Sequence, residues 1–156
     1  MRIVFRTDAS FEIGTGHVMR CLTLADRLIF KGAEVFFICC EHFGNLIRLI
    51  EAKGYLVFKL PYKGVLENQN KNIYRGWLGT TWEDDASQVN KYLIFLGEID
   101  WLIVDHYAIE AAKNRTVGIN IIQGSGFGWR SFLTCGWLRK KSLNILPMIM
   151  LMRCFC

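Results

Sequence analysis

Residues 2–32 read RIVFRTDASFEIGTGHVMRCLTLADRLIFKG, and this stretch decides the fold. RIVFRTDA is a short apolar run of strand length. Beyond it, Val18, Leu22, Leu24, Ala25, Leu28 and Ile29 recur near the 3.6-residue period of a helix. Between the two lie Gly14, Thr15, Gly16 and His17, and Gly32 closes the helix with Lys31 in its last turn. Strand, glycine loop and helix in succession open a βαβ unit.

The cycle recurs downstream. AEVFFICC (33–40) is a nearly continuous apolar run, as expected of a parallel strand covered on both faces. FGNLIRLIEAKG (43–54) predicts a second helix, YLVFKLP (55–61) a third strand stopped by Pro61, DDASQVNKYLIFLGE (84–98) a third helix, and DWLIVDHY (100–107) a fourth strand. Strands alternating with helices argue for an α/β, Rossmann-like fold: a mostly parallel, doubly wound sheet with helices on both faces and right-handed crossovers. Residues 62–81, rich in Asn, Lys and Gly, form the longest expected loop and the expected mobile part. After Glu110 no capped helix and no strand bounded by turn residues can be read.

The chain has 156 residues, 52% hydrophobic and 21% charged, a composition suited to one globular domain and unsuited to disorder. Its net charge of +5 would suggest nucleic acid or membrane as a partner if it were evenly spread, but it is not. All 14 acids lie between Asp8 and Glu110, where 12 Lys and Arg leave a net charge of −2. Residues 111–156 hold no acid and 7 basic residues. The chain therefore divides into residues 1–110, an ordinary domain, and 111–156, an aberrant acid-free tail expected to be poorly ordered or foreign to the family of the first part. No nucleic acid and no membrane partner is expected. The N-terminus offers only three consecutive apolar residues before Arg6, which is no signal peptide. LNILPMIMLM (143–152) is about half the ~20 residues a membrane helix needs. Adjacent Cys39 and Cys40 would face opposite sides of a strand, and reduced thiols in a cytoplasmic protein are expected. No C-x-x-C pair and no histidine cluster supports a metal, and no cofactor is implied.

In an open α/β sheet, ligands bind beyond the carboxyl ends of the strands, where Gly14, Thr15, Gly16 and His17 fall. A dinucleotide fingerprint needs a glycine where Met19 stands, and no Lys-Ser/Thr follows the second glycine, so neither NAD nor a P-loop fits. What remains is a loop offering backbone N–H groups and the positive end of a helix, which attract an oxyanion. The same positive end disfavours imidazolium, so His17 is a candidate general base. Geometry alone could also explain the glycines, and His17 could simply fill or cap. Asp105, His106 and Tyr107 end the fourth strand on the same edge; they are candidate substrate contacts, with Asp105 as a helix cap and Tyr107 as packing the alternative. Glu41 and His42 read as loop residues. Trp77, Trp82 and Trp101 could stack on a sugar or base, or serve as core. Ser10 does not sit in a G-x-S-x-G elbow.

FRTDASFEIGTGHVMRCLTLADRL (5–28), WLGTTWEDDA (77–86) and DWLIVDHYAIE (100–110), in this order and spacing, resemble the N-terminal half of the PseG family, the UDP-2,4-diacetamido-2,4,6-trideoxy-β-L-altropyranose hydrolases of pseudaminic acid biosynthesis. The resemblance spans residues 1–110. It implies the N-terminal half of a GT-B-like fold, with a sugar-side half-site here and most of the UDP site in a second domain. It implies His17 as the base that activates water and Gly14 and Gly16 as the loop glycines. Asp105, His106 and Tyr107 match a family motif. The implied reaction is inverting attack of water on the anomeric carbon of a UDP-linked amino sugar, with UDP leaving and no metal required. The resemblance stops where the acid-free tail begins, so an out-of-frame tail and a truncated, monomeric chain inactive by itself are expected. Reading the gene's other two frames beyond Glu110 tests that expectation. Two alternatives stay open: a GT-B-like glycosyltransferase of surface polysaccharide synthesis, separated by product analysis, and a truncated non-catalytic binding module, separated by co-purification with a nucleotide-binding domain.

Overall fold

The structure is a computed structural model and describes residues 1–64, 73–109, 120–125 and 128–132. Its elements in chain order are β1 (Arg2–Thr7), α1 (Gly16–Phe30), β2 (Glu34–Cys40), α2 (Ile47–Ala52), β3 (Leu56–Leu60), a 3-10 turn (Ile73–Leu78), α3 (Trp82–Leu96), β4 (Trp101–Asp105), β5 (Asn120–Ser125) and β6 (Gly128–Phe132). The strands form one sheet in the order β3-β2-β1-β4-β5-β6. Every pairing is parallel except β5 with β6. The fold is α/β and Rossmann-like.

Alternation along the strands builds two cores. Ile3, Phe5, Val35, Phe37, Trp101 and Ile103 pack under α1 and α2, through Val18, Leu22, Leu28 and Ile50. Val4, Phe36, Ile38, Leu102 and Val104 face the other way, against Val89 and Leu93 of α3. Cys39 joins the first core and Cys40 the second, the opposite-face placement their adjacency predicts. The chain winds from β1 outward to β3 and then returns to β4 on the far side of β1, so the order reverses between β1 and β4. In open α/β sheets ligands bind where the strand order reverses in this way, beyond the carboxyl ends of the two strands.

Four elements differ from the sequence reading. α2 is shorter than residues 43–54, because Asn45 competes for the backbone: its Nδ2 donates to the His42 carbonyl (2.7 Å) and its Oδ1 accepts from Ile47 N–H (3.1 Å). α3 begins earlier, at Trp82, because the Thr81 hydroxyl caps it by accepting from Asp84 N–H, with Glu83, Asp84 and Asp85 in the first turn. No strand was expected after Glu110, yet β5 pairs parallel with β4 from Trp101↔Asn120 to Asp105↔Gly124, and β6 returns antiparallel. Of the expected loop 62–81, residues 65–72 lie outside the described residues, as does most of the acid-free tail.

Candidate active site at the β1–β4 switch point

The loop from β1 to α1 is closed by Ser10. Its Oγ accepts from the N–H groups of Glu12 (3.2 Å) and Ile13 (3.0 Å), and its carbonyl accepts from Gly14 N–H at 2.9 Å. Gly14 has φ +79°, where a side chain would be strained. Thr15 then precedes α1 without capping it through its side chain. A Cβ placed on Gly16 would meet nothing within 4 Å, so the space above this helix start is open.

His17 comes next, in the first turn of α1, its side chain only 6% exposed. Register explains what it meets. Thr7 pairs with Asp105 and lies on the same side as Ile3 and Phe5, so Asp105 projects toward α1. His17 Nδ1 lies 2.8 Å from Asp105 Oδ1. One turn further along α1, Arg20 forks onto both Asp105 oxygens, and its terminal nitrogen is 3.0 Å from His17 Nδ1. The Cys21 thiol, 3.6 Å from Oδ2, completes the group. Burial pushes the Asp105 carboxyl up, but the bonds from Arg20 and His17 outweigh it and hold the group below the ordinary carboxylate range. Ionised Asp105 can only accept and Arg20 can only donate, so Nδ1 bonds Asp105 when it carries the ring proton and Arg20 when it is bare; in the tautomer bonded to Asp105, Nε2 keeps its lone pair. Tyr107 stands edge-on to His17 (ring centroids 4.7 Å apart) and is 42% exposed. Trp77 is its aromatic neighbour, at 6.2 Å.

A second buried cluster lies on the opposite side of the sheet. Arg6 donates to Asp8 Oδ1 (2.6 Å) and Asp85 Oδ1 (2.6 Å). Asp8 Oδ1 also accepts from Cys40 N–H at 2.6 Å, and Oδ2 faces His106 Nε2 at 3.3 Å and His42 Nε2 at 3.5 Å. Burial raises the Asp8 carboxyl, yet Arg6 and the two imidazoles leave it well below its usual range.

The sequence-selected residues thus separate. His17, behind the Gly14–Gly16 loop, meets Asp105 and Tyr107, while His106, 1% exposed, turns to Asp8. Asp105 is fully buried, its carboxylate bonded to His17 and Arg20 of α1. His42 lies in the loop after β2, as read, and is 5% exposed against Asp8. Trp101 is fully buried core, and Trp82 is 45% exposed at the start of α3. Arg20, Arg6, Asp8 and Asp85 were not picked out from sequence. The signal for Arg20 was its place three residues after His17, on the same helical face.

Among the described residues no group of three or more His, Cys, Asp or Glu could hold a metal ion. His106 shows why the Asp8 cluster does not: its Nδ1 accepts from Ala108 N–H (3.0 Å), which puts the ring proton on Nε2, the atom a metal would need bare. Among the described residues no helix is long and apolar enough to cross a membrane.

A curated protein of Campylobacter jejuni, UDP-2,4-diacetamido-2,4,6-trideoxy-β-L-altropyranose hydrolase, is 28% identical to this chain over 117 residues. The chain is similar to a UDP-sugar hydrolase. The match takes in 75% of this chain and 32% of the relative, so the chain spans about a third of the relative's length. Acinetobacter baumannii MurG, a solved structure, aligns with TM-score 0.47 and 15% identity over 95% of this chain and 38% of its own. No family model matches the chain.

Proposed function

We propose that the crevice at the β1–β4 switch point is the sugar-side half of a UDP-sugar hydrolase site, built on the N-terminal half of a GT-B-like fold, and that His17 is its general base. The observation that carries this reading is the 2.8 Å contact of His17 Nδ1 with Asp105 Oδ1, which commits one ring nitrogen and leaves Nε2 to take a proton. Water donates that proton to Nε2 as its oxygen attacks the anomeric carbon. The bond from that carbon to the UDP oxygen breaks, and its electron pair leaves with UDP. One displacement inverts the anomeric centre. UDP leaves as a stabilised anion, so no strong general acid is needed, unlike in hydrolysis of an ordinary glycoside. The open helix start at Gly14, Thr15 and Gly16 suits an anionic or amide oxygen of the substrate, and the exposed ring of Tyr107 suits the sugar face. In this reading Asp105 acts through His17, and His106 acts by holding Asp8. The similarity to the Campylobacter hydrolase supports a UDP-linked 2,4-diacetamido-2,4,6-trideoxy sugar as substrate, and the motif resemblance suggests a place in pseudaminic acid synthesis in the cytoplasm.

The test is a titration of this chain with that UDP-sugar, monitored through the imidazole NMR signals. The reading expects the His17 signals to move and those of His42, on the far side of the sheet, to stay. Unmoved His17 signals at millimolar sugar nucleotide contradict it.

A further inference from the structure

A buried carboxylate against an imidazole has two effects. It fixes which nitrogen carries the proton, and it favours a second proton on the ring. The first prepares a base and the second disables it. At this site Arg20 separates them. Its Nε and one terminal nitrogen bond both oxygens of Asp105, and that terminal nitrogen also lies 3.0 Å from His17 Nδ1. A guanidinium has donors only, so it offers the ring no acceptor and stands against it as positive charge. We infer that Arg20 is a positioning residue, which lets Asp105 orient His17 through the Nδ1 proton while cancelling the charge that would otherwise hold the ring as imidazolium. The inference rests on the role proposed above for His17. Among the described residues the other groups facing the ring are His106, stacked at 6.4 Å, and the edge-on Tyr107. His106 carries its ring proton toward Asp8 and Tyr107 is a phenol, so neither supplies the cancelling charge.

The experiment tracks the three histidines of the full chain by heteronuclear imidazole NMR across pH, in the unsubstituted protein, Arg20→Gln and Arg20→Lys. The unsubstituted protein is expected to show His17 protonated at Nδ1 and bare at Nε2. In Arg20→Gln the pH at which His17 gains its second proton is expected to rise by about one unit or more. Arg20→Lys keeps the charge and is expected to stay near the unsubstituted value. An unmoved titration in Arg20→Gln overturns the inference, as does an equal shift in Arg20→Lys or a proton on Nε2 in the unsubstituted protein. The His42 and His106 signals report whether each variant is folded. Should Arg20→Gln not fold, Asp105→Asn reads the same balance from the other side: the Arg20 charge is then unopposed, the His17 titration is expected to fall, and an unmoved or raised value overturns the inference. The two readings fail separately. Absence of sugar-nucleotide binding removes the proposed function and leaves these titrations intact, whereas unmoved titrations remove only the role of Arg20.

Discussion

Asp105 accepts from His17, Arg20 and Cys21 at once, and its ionisation couples the site to acid stability. Asp105 and Asp8 both titrate lower in the folded chain than as free carboxylates. The stability they add is therefore complete above about pH 4, the unfolded value, and is lost as pH falls toward the folded one. Acid unfolding monitored by circular dichroism should set in below about pH 4, and Asp105→Asn should flatten that acid dependence. A profile unchanged by the substitution would leave Asp105 no electrostatic share in stability. His17 and Asp105 were legible in the sequence because His17 follows the glycine loop at the start of α1 and Asp105 ends β4. The partners of the second cluster were not: Arg6 and Asp85 are 79 positions apart, and only the packing of α3 over β1 brings them together.

At the scale of elements, local chemistry fixes the ends and tertiary pairing fixes the rest. Thr81 accepts from Asp84 N–H at 3.1 Å and starts α3, so Thr81→Ala should cost about 1 kcal/mol in denaturant unfolding; a loss near zero would mean that the acidic first turn suffices. The strands β1 to β4 and helix α1 were readable because their apolar patterns are long and bounded by glycine or charge. α2 was overread because its apolar period continues backward through a segment that Asn45 holds as a turn. β5 was missed because its apolar run is only Ile121 and Ile122, and its place in the sheet depends on backbone pairing with β4.

Across the whole molecule, side-chain alternation along the neighbouring strands β1 and β4 places one buried polar cluster on each side of the sheet. Arg6 ties the far cluster together at 1% exposure, between two carboxylates. Arg6→Met leaves both buried without their cation and should destabilise the fold by about 3–5 kcal/mol; a loss under about 1 kcal/mol in equilibrium unfolding would show that the cluster is not an electrostatic unit. Because the chain spans about a third of the Campylobacter hydrolase, residues 1–156 alone are expected to bind the sugar nucleotide only weakly and to release no UDP, since orienting water against the sugar needs both walls of a cleft. UDP release by the purified chain would contradict that. The most direct test of His17 as the base is a chimera in which residues 1–109 replace the matching segment of the Campylobacter hydrolase, with UDP release monitored by phosphorus NMR. The chimera carrying His17 is expected to turn over, and His17→Phe to lower its rate on the order of 10³-fold; equal rates for the two would contradict the account.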